Sequence, residues 1–509
     1  MSSIPVSKRM QEFYHRNFFE CNGCGIKYVD RPMVCECNPK NGSESIITKR
    51  ASDVGKVLSA SVVREMPEDF SYLRGGYVTA ITEFDGVRYV DQVTDIPLTQ
   101  KEFDVSGLVG KDVISVFRKF STHDGLINYG LKVTPVGYLK QLRQNDQDWP
   151  KEDKAGIIAS GVYVPKWKLK TGTVGKEFAM EVSDYQKRVP YIDEDTATMA
   201  VEGGRIALAN AGIKPNSVSY VRVGSESHPY EVKPTATILV HALGLGKIRD
   251  DIHFVDALDT EFACKAASGT WMDCIRYSDK TGENSMTAGY DNSQAKPGDA
   301  LDISVGAGGS TQIFGKTAPI ALIKEHIQDD KFRENYVSVT SDTPDFYRAK
   351  LEKYPTHGGR FTGEPAFFKH QKASATKLME KLNLKPKDID FFVSHSPNPQ
   401  FPRKLGSELE FEPRQLEPLT VDWTANTYQQ SGIGTASVFD IAKPGQKILV
   451  VTFGSSAGSD AHLLETTDYI TQKRNQYPVW DMLKSPDATF IEDVFPNPYL
   501  TYRRFKEGF

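Results

Sequence analysis

From about residue 54 to 138 the chain alternates apolar and polar positions in short runs. "GKVLSASVVRE", "GGYVTAITEFDGVRYVDQVTD", "KDVISVFRKF" and "INYGLKVTPV" follow one another between Gly and Asp turns, the period-two pattern of half-buried strands. Five or six such strands in so short a span predict a small β-barrel of the OB type. A polar, charged stretch containing a proline, "RQNDQDWPKEDKAG" (143–156), then marks a boundary. Beyond it, strand-length apolar runs alternate with helical spacing. "AGIIASGVYVP" reads as a strand, and "DEDTATMAVEGGRIALANAGI" as a helix capped by Asp193 and stopped by Gly212. "SVSYVRVGSES" is again a strand and "PTATILVHALGL" a helix. "IHFVDAL" (252–258) reads as a short buried strand, followed by apolar positions at helical spacing: Ala267, Trp271, Cys274 and Ile275.

This second part repeats itself. "AGIKPNSVSYVRVGSESHP" (211–229) is similar to "LNLKPKDIDFFVSHSPNP" (382–399), and "ASGTWMDCI" more weakly to "GIGTASVFDI". Self-similarity on this scale implies two related α/β halves packed on one another. Ligand sites of such sheets lie at the carboxyl ends of the strands. Glu226 and His395 fall at equivalent strand ends of the two halves, and Cys264 follows another strand. A pseudo-twofold between the halves would bring all three to one crevice.

Each of these residues also has a plain structural reading. Cys264 sits among small residues at a predicted helix N-terminus, where free N–H groups and the dipole favour a thiolate; it could equally be a small buried apolar residue, as Cys274 on the helical stripe is expected to be. Glu226 could be a solvated turn acid, His395 a satisfied strand-end histidine, and Asn426 in "WTANTYQQSG" a turn initiator. The coincidence of nucleophile, carboxylate and imidazole at strand ends favours chemistry.

Composition narrows the class. The 509 residues suit roughly three to four domain-sized units. Apolar residues make up 39% and charged residues 25%, as in soluble globular proteins. A net charge of −4 provides no global basic field, and the barrel strands carry Glu, Asp and Thr as often as Lys or Arg, so no nucleic-acid partner is expected. "MSSIPVSKRMQEFYHRNFFE" lacks the apolar core of a signal peptide, and runs such as "KILVVTF" are far too short to span a bilayer. The expectation is a cytoplasmic protein with no membrane partner. In that compartment cysteines more often bind metal or catalyse than pair as disulfides. "CNGCGIKYVDRPMVCEC" holds four of the six: Cys21, Cys24, Cys35 and Cys37. C-x-x-C-G is a zinc-knuckle spacing, and C-x-C is tighter than usual, so a structural zinc on four thiolates stands against a degenerate knuckle or one using three of the four.

Taken in order, "DEDTATMAVEGG", "VGSESHPYEVKPTAT", "EFACKAASGT", "HGGRFTGEPAFFKH", "VSHSPNPQFP", "ANTYQQSGIGTASV" and "FGSSAGSD" resemble the motifs of the archaeal and bacterial type of hydroxymethylglutaryl-CoA synthase, in the thiolase superfamily. The resemblance runs from about residue 155 to 467 and takes in the tail "PYLTYRRF". The first 150 residues resemble the zinc-ribbon and OB-fold acyl-CoA-associated protein that in archaea is a separate subunit bridging a thiolase and this synthase. The implied organisation is an N-terminal helix and zinc ribbon (1–45), an OB-fold domain (46–145), a first thiolase-like half (155–320), and a second half with a C-terminal tail (321–509).

The resemblance implies catalysis by three residues. Cys264 takes an acetyl group from acetyl-CoA, Glu226 is the general acid/base, and His395 polarises the carbonyl of acetoacetyl-CoA or a related 3-oxoacyl-CoA. N–H groups at Cys264 and near Ser455 would form the oxyanion hole, and Asn426 would orient His395 or the second acyl group. "HGGRFTGEPAFFKH" and "NTYQQSG" would line the acyl and pantetheine tunnel. It also implies coenzyme A thioesters as substrates, no redox cofactor, a homodimer through the thiolase-like core, a possible acetoacetyl-CoA thiolase partner, and a place in the mevalonate route to isoprenoids. Two other readings stand beside it. One is a ketoacyl-synthase-type or thiolase-related acyltransferase, which has no need of Glu226. The other is a scaffold for acyl-CoA handoff in a thiolase complex.

Overall fold

The alternation that opens the chain builds a closed barrel. In a computed structural model, which describes residues 14–37, 45–73, 75–97, 104–142, 148–328, 331–359, 362–416, 418–473 and 475–507, five strands pair in the order Val54–Val63, Tyr77–Phe84, Val87–Val93, Leu126–Pro135, Asp112–His123 and back to the first. Every second residue of Tyr77–Phe84 points inward (Val78, Ala80, Phe84) and packs with Val57, Val93, Val113 and Val133. Closure leaves no open sheet edge. Ahead of the barrel, Asn17–Cys21 pairs with both Lys27–Tyr28 and Ile46–Arg50 in a three-stranded ribbon. The N-terminal helix expected before it lies outside the described residues.

The chain divides into two compact units. One comprises residues 1–141, 191–194 and 493–509; the other comprises 142–190 and 195–492. The tail read in the sequence with the second half thus groups with the barrel, as does the excursion 191–194. Buried charges explain the excursion. Asp193, assigned above as a helix cap, accepts hydrogen bonds from Thr94 Oγ1 (2.9 Å) and Lys132 Nζ (2.8 Å). Arg118, fully buried, lies 3.1 Å from both Asp95 and Glu194. Burial works to raise the Asp193 carboxyl, but Lys132 and Arg118 outweigh it and hold it below its ordinary range. The helix Thr196–Ala211 is instead capped by Asp195, whose carboxylate accepts from the Thr198 N–H while the Thr198 hydroxyl takes up the Asp195 N–H. Gly212 ends it, as the sequence predicts.

The larger unit is built on one ten-stranded sheet. Its path runs Asp256–Thr260, Val218–Gly224, Asn284–Asn292, Ala307–Thr317, Lys151–Tyr163, Ala321–Ile323, Gly458–Thr466, Lys447–Val451, Phe391–Ser394, with Tyr336–Thr340 also paired to Gly458–Thr466. The two repeat strands, Val218–Gly224 and Phe391–Ser394, each run parallel to neighbours on opposite flanks of this sheet. Helix Thr196–Ala211 is buried on all sides except at Arg205, and helix Gln430–Phe439 is buried throughout, as helices between layers must be. Trp271, Cys274 and Ile275 of helix Trp271–Thr281 pack with Ile157, Phe314, Val450 and Leu464.

"IHFVDAL" departs from its expected burial. It splits into Ile252–Phe254, a hairpin partner of Lys247–Arg249, and Asp256–Thr260, the edge of the sheet. Ile252, Phe254 and Leu258 are 63%, 58% and 55% exposed. An apolar run alone does not tell an edge strand from a central one.

Candidate active site

Strand ends carry the site, as the repeat predicts. Val218–Gly224 delivers Glu226, Phe391–Ser394 delivers His395, and the turn after Asp256–Thr260 delivers Cys264. Two glycines let these segments close on one another. A Cβ on Gly224 would lie 2.1 Å from the Ala267 nitrogen, and one on Gly454 would lie 2.5 Å from the Phe262 carbonyl oxygen. The Cys264 turn is therefore pressed between the backbone at Gly224 and at Gly454. Beside it the buried Lys265 ammonium is held by Asp460 at 2.9 Å and 3.0 Å.

Cys264, His395, Asn426 and Ser455 line one cavity of about 800 Å³. Glu226 does not line that cavity, but its carboxyl lies close enough to the Cys264 thiol for each to shift the other's acidity. Part of the Glu226 residue is exposed, but its Oε1 is enclosed and has no hydrogen-bond partner among the described residues. Burial first, then the nearby Asp291 carboxylate, pushes its pKa up to about 8. His395 is 2% exposed, between the rings of Phe367 and Phe453. Burial takes its pKa down to about 3, so the imidazole is neutral, and its Nδ1 has no partner among the described residues.

The expected helix N-terminus at Cys264 is not there. Cys264 lies in a 3-10 turn, Ala263–Lys265, and a second such turn, Ser268–Thr270, separates it from the helix that starts at Trp271. Burial, and after it the Glu226 carboxyl, raises the thiol well above its usual range, so the resting sulfur is protonated. Asn426 makes the turn contact that its plain structural reading allows. Its Oδ1 accepts from the Tyr428 N–H at 2.9 Å, so it shapes a turn as well as lining the cavity. Within "HGGRFTGEPAFFKH", His357, Gly359, Thr362, Gly363 and Phe367 line the cavity, while Arg360 and Phe361 lie outside the described residues.

Two carboxylates at the site escaped the sequence reading. Asp291, fully buried, accepts at Oδ1 from the hydroxyls of Ser225 and Ser227 (each 2.6 Å) and from the Glu226 N–H (2.8 Å), and at Oδ2 from Gln429 Nε2 (3.0 Å). It fixes the loop that carries Glu226. Its place near the end of strand Asn284–Asn292 follows the same strand-end rule that singled out Glu226. Asp345, also fully buried, accepts the Ser456 N–H at 2.7 Å and so anchors the loop beside Ser455. No local pattern marks it. At the other end of the chain, Cys21, Cys24, Cys35 and Cys37 bring their sulfurs within 4.8 Å of one another, the C-x-C pair included.

Comparison with solved structures defines the class. The fold is similar to that of an HMG-CoA synthase complexed with CoA (TM-score 0.58, 16% identity, 70% of this chain and 90% of that one). It is also similar to the 3-oxoacyl-(acyl carrier protein) synthase III of Pseudomonas aeruginosa (TM-score 0.53, 14% identity, 62% and 98%). The chain thus shares the fold of these synthases. No family model matches the chain. Its sequence is 42% identical over 360 residues to the hydroxymethylglutaryl-CoA synthase of Archaeoglobus fulgidus, covering 69% of this chain and 98% of that protein. The match to the Methanocella arvoryzae synthase is 40% over 366 residues, covering 69% and 98%. The chain belongs to the hydroxymethylglutaryl-CoA synthase family.

Proposed function

We propose that the chain condenses acetyl-CoA with acetoacetyl-CoA, or a related 3-oxoacyl-CoA, to give 3-hydroxy-3-methylglutaryl-CoA through an acetyl-Cys264 intermediate. The observation that carries this reading is the Glu226 carboxyl beside Cys264, its Oε1 enclosed, with neutral His395 lining the same cavity as Cys264. In the first step the Cys264 sulfur attacks the acetyl thioester and CoA leaves; the thiol proton ends on CoA, so no net proton is stored. Glu226 then removes a proton from the acetyl methyl, and the resulting carbanion attacks the ketone of the second substrate. His395 donates a hydrogen bond to that acceptor's carbonyl, and Glu226 returns its proton to the tertiary alkoxide. N–H groups at Cys264 and Ser455 would stabilise the thioester oxyanion. Water finally cleaves the enzyme thioester, releasing the product's free carboxylate and the Cys264 thiol. A decarboxylating synthase has no use for an acid at Glu226.

The finer assignments belong to the same reading. A structural zinc held by Cys21, Cys24, Cys35 and Cys37 fits a donor set of four converging thiolates with no open position. A homodimer through the thiolase-like core is supported by the edge strand Asp256–Thr260 and its exposed Leu258, since such an edge is a template for pairing. Among the described residues no helix is long and apolar enough to cross a membrane. A cytoplasmic enzyme of the mevalonate route, with a thiolase supplying acetoacetyl-CoA, is the setting we infer.

The deciding measurement is made on Glu226→Gln, with the two half-reactions followed separately. Acetyl labelling of Cys264 should persist, while condensation should fall by about two to four orders of magnitude, the scale of a lost general acid/base. Condensation at the wild-type rate would reduce Glu226 to a turn residue and exclude the synthase.

A further inference from the structure

Where Cys264 meets the cavity, its neighbours are apolar and buried. Cys264 packs in one cluster with Ala295, Val305 and Tyr428, flanked by Leu301 and Phe346. Tyr428 is the largest of these and is 2% exposed. Three constraints fix it. Its N–H is held by Asn426 Oδ1 at 2.9 Å, its hydroxyl donates to the Gln294 carbonyl at 2.7 Å, and its ring meets Phe346 edge-on with centroids 6.0 Å apart. Its backbone is left-handed, φ 59°, a conformation that a bulky residue holds only where the surroundings over-determine it. A ring tethered at both ends cannot swing aside for a larger acyl group.

We propose that Tyr428 is the wall that restricts the acyl group carried on Cys264 to two carbons, making it the donor-specificity residue of this site. The proposal rests on the acyl-cysteine reading above. The acceptor is not limited in this way, because the rest of the cavity, past Phe367, Phe401 and Phe453, stays open. Apolar walls discriminate about 10–200-fold per methylene, so butyryl should load on wild-type Cys264 at least about 100-fold more slowly than acetyl.

The test loads wild type, Tyr428→Gly, Tyr428→Phe and Leu301→Ala with acetyl-, propionyl- and butyryl-CoA and follows acylation of Cys264 by mass spectrometry. Glycine suits the positive φ and removes the wall, so the acetyl-over-butyryl preference should narrow to within about tenfold. Phenylalanine keeps the ring and should keep the preference. Leu301→Ala enlarges the same space from helix Ala300–Ser304 without touching the strained turn, and should relax the preference even if Tyr428→Gly does not fold. Equal loading of acetyl and butyryl on wild-type Cys264, or a preference unchanged in both opened variants, would overturn the proposal. Absence of acetyl on wild-type Cys264 would overturn the acyl-enzyme reading itself, and this proposal with it.

Discussion

The role proposed for Glu226 sets it two tasks that pull its acidity in opposite directions. In the proposed reaction it would accept a proton from a weakly acidic methyl and later give one to an alkoxide, so a pKa near the working pH would serve both. Burial and Asp291 together set it near 8. The base form is therefore depleted below that value, and condensation should fall as pH drops through it. Asp291→Asn removes the neighbouring negative charge, so the acid limb of the condensation profile should move to lower pH; a limb that stays in place would mean that burial alone sets Glu226. The strand-end placement of Glu226 and His395 was legible in the sequence because each follows a repeat strand. Asp291 was open to the same argument and was missed. Asp345 was not open to it: its role is to hold the Ser456 N–H across more than a hundred residues of chain, and nothing local records a contact of that range.

The Cys264 turn is held by what its neighbours lack. With a Cβ placed 2.1 Å from the Ala267 nitrogen, Gly224→Ala must displace either the strand that carries Glu226 or the turn that carries Cys264. Overpacking of this kind costs about 1–3 kcal/mol, and a shift near 1 Å at the site costs about 100-fold in rate. Gly224→Ala should therefore lower condensation by roughly 100-fold with a modest fall in melting temperature; near-wild-type kinetics would show that the approach is not needed. Strands and helices with clear periodicity, such as Tyr77–Phe84 and Thr196–Ala211, were readable from pattern alone. The 3-10 turn at Cys264 was not, because small residues in "ACKAASGT" fit a helix start as well as two tight turns. Tertiary packing against Gly224 and Gly454 decides between them.

At the scale of the whole chain, the four-cysteine cluster belongs to one unit and the candidate active site to the other. Purified protein should contain about one zinc per chain, and stripping it should unfold the ribbon while Cys264 still accepts acetyl, since structural zinc contributes folding energy to its own module; elemental analysis without zinc would reject the site. The division of the chain carries a different consequence. The polypeptide enters the barrel unit at the start, returns to it for the four residues 191–194, and returns again for 493–509. Asp193 and Glu194 rely on Lys132 and Arg118 of the barrel for their charge balance. Cutting the gene at the apparent linker would therefore not yield a free-standing catalyst. It would strand two carboxylates without their counter-charges and leave a C-terminal helix with no unit to join. For anyone dissecting the protein, a chain that crosses more than once between its two units has no single cut that returns both of them whole.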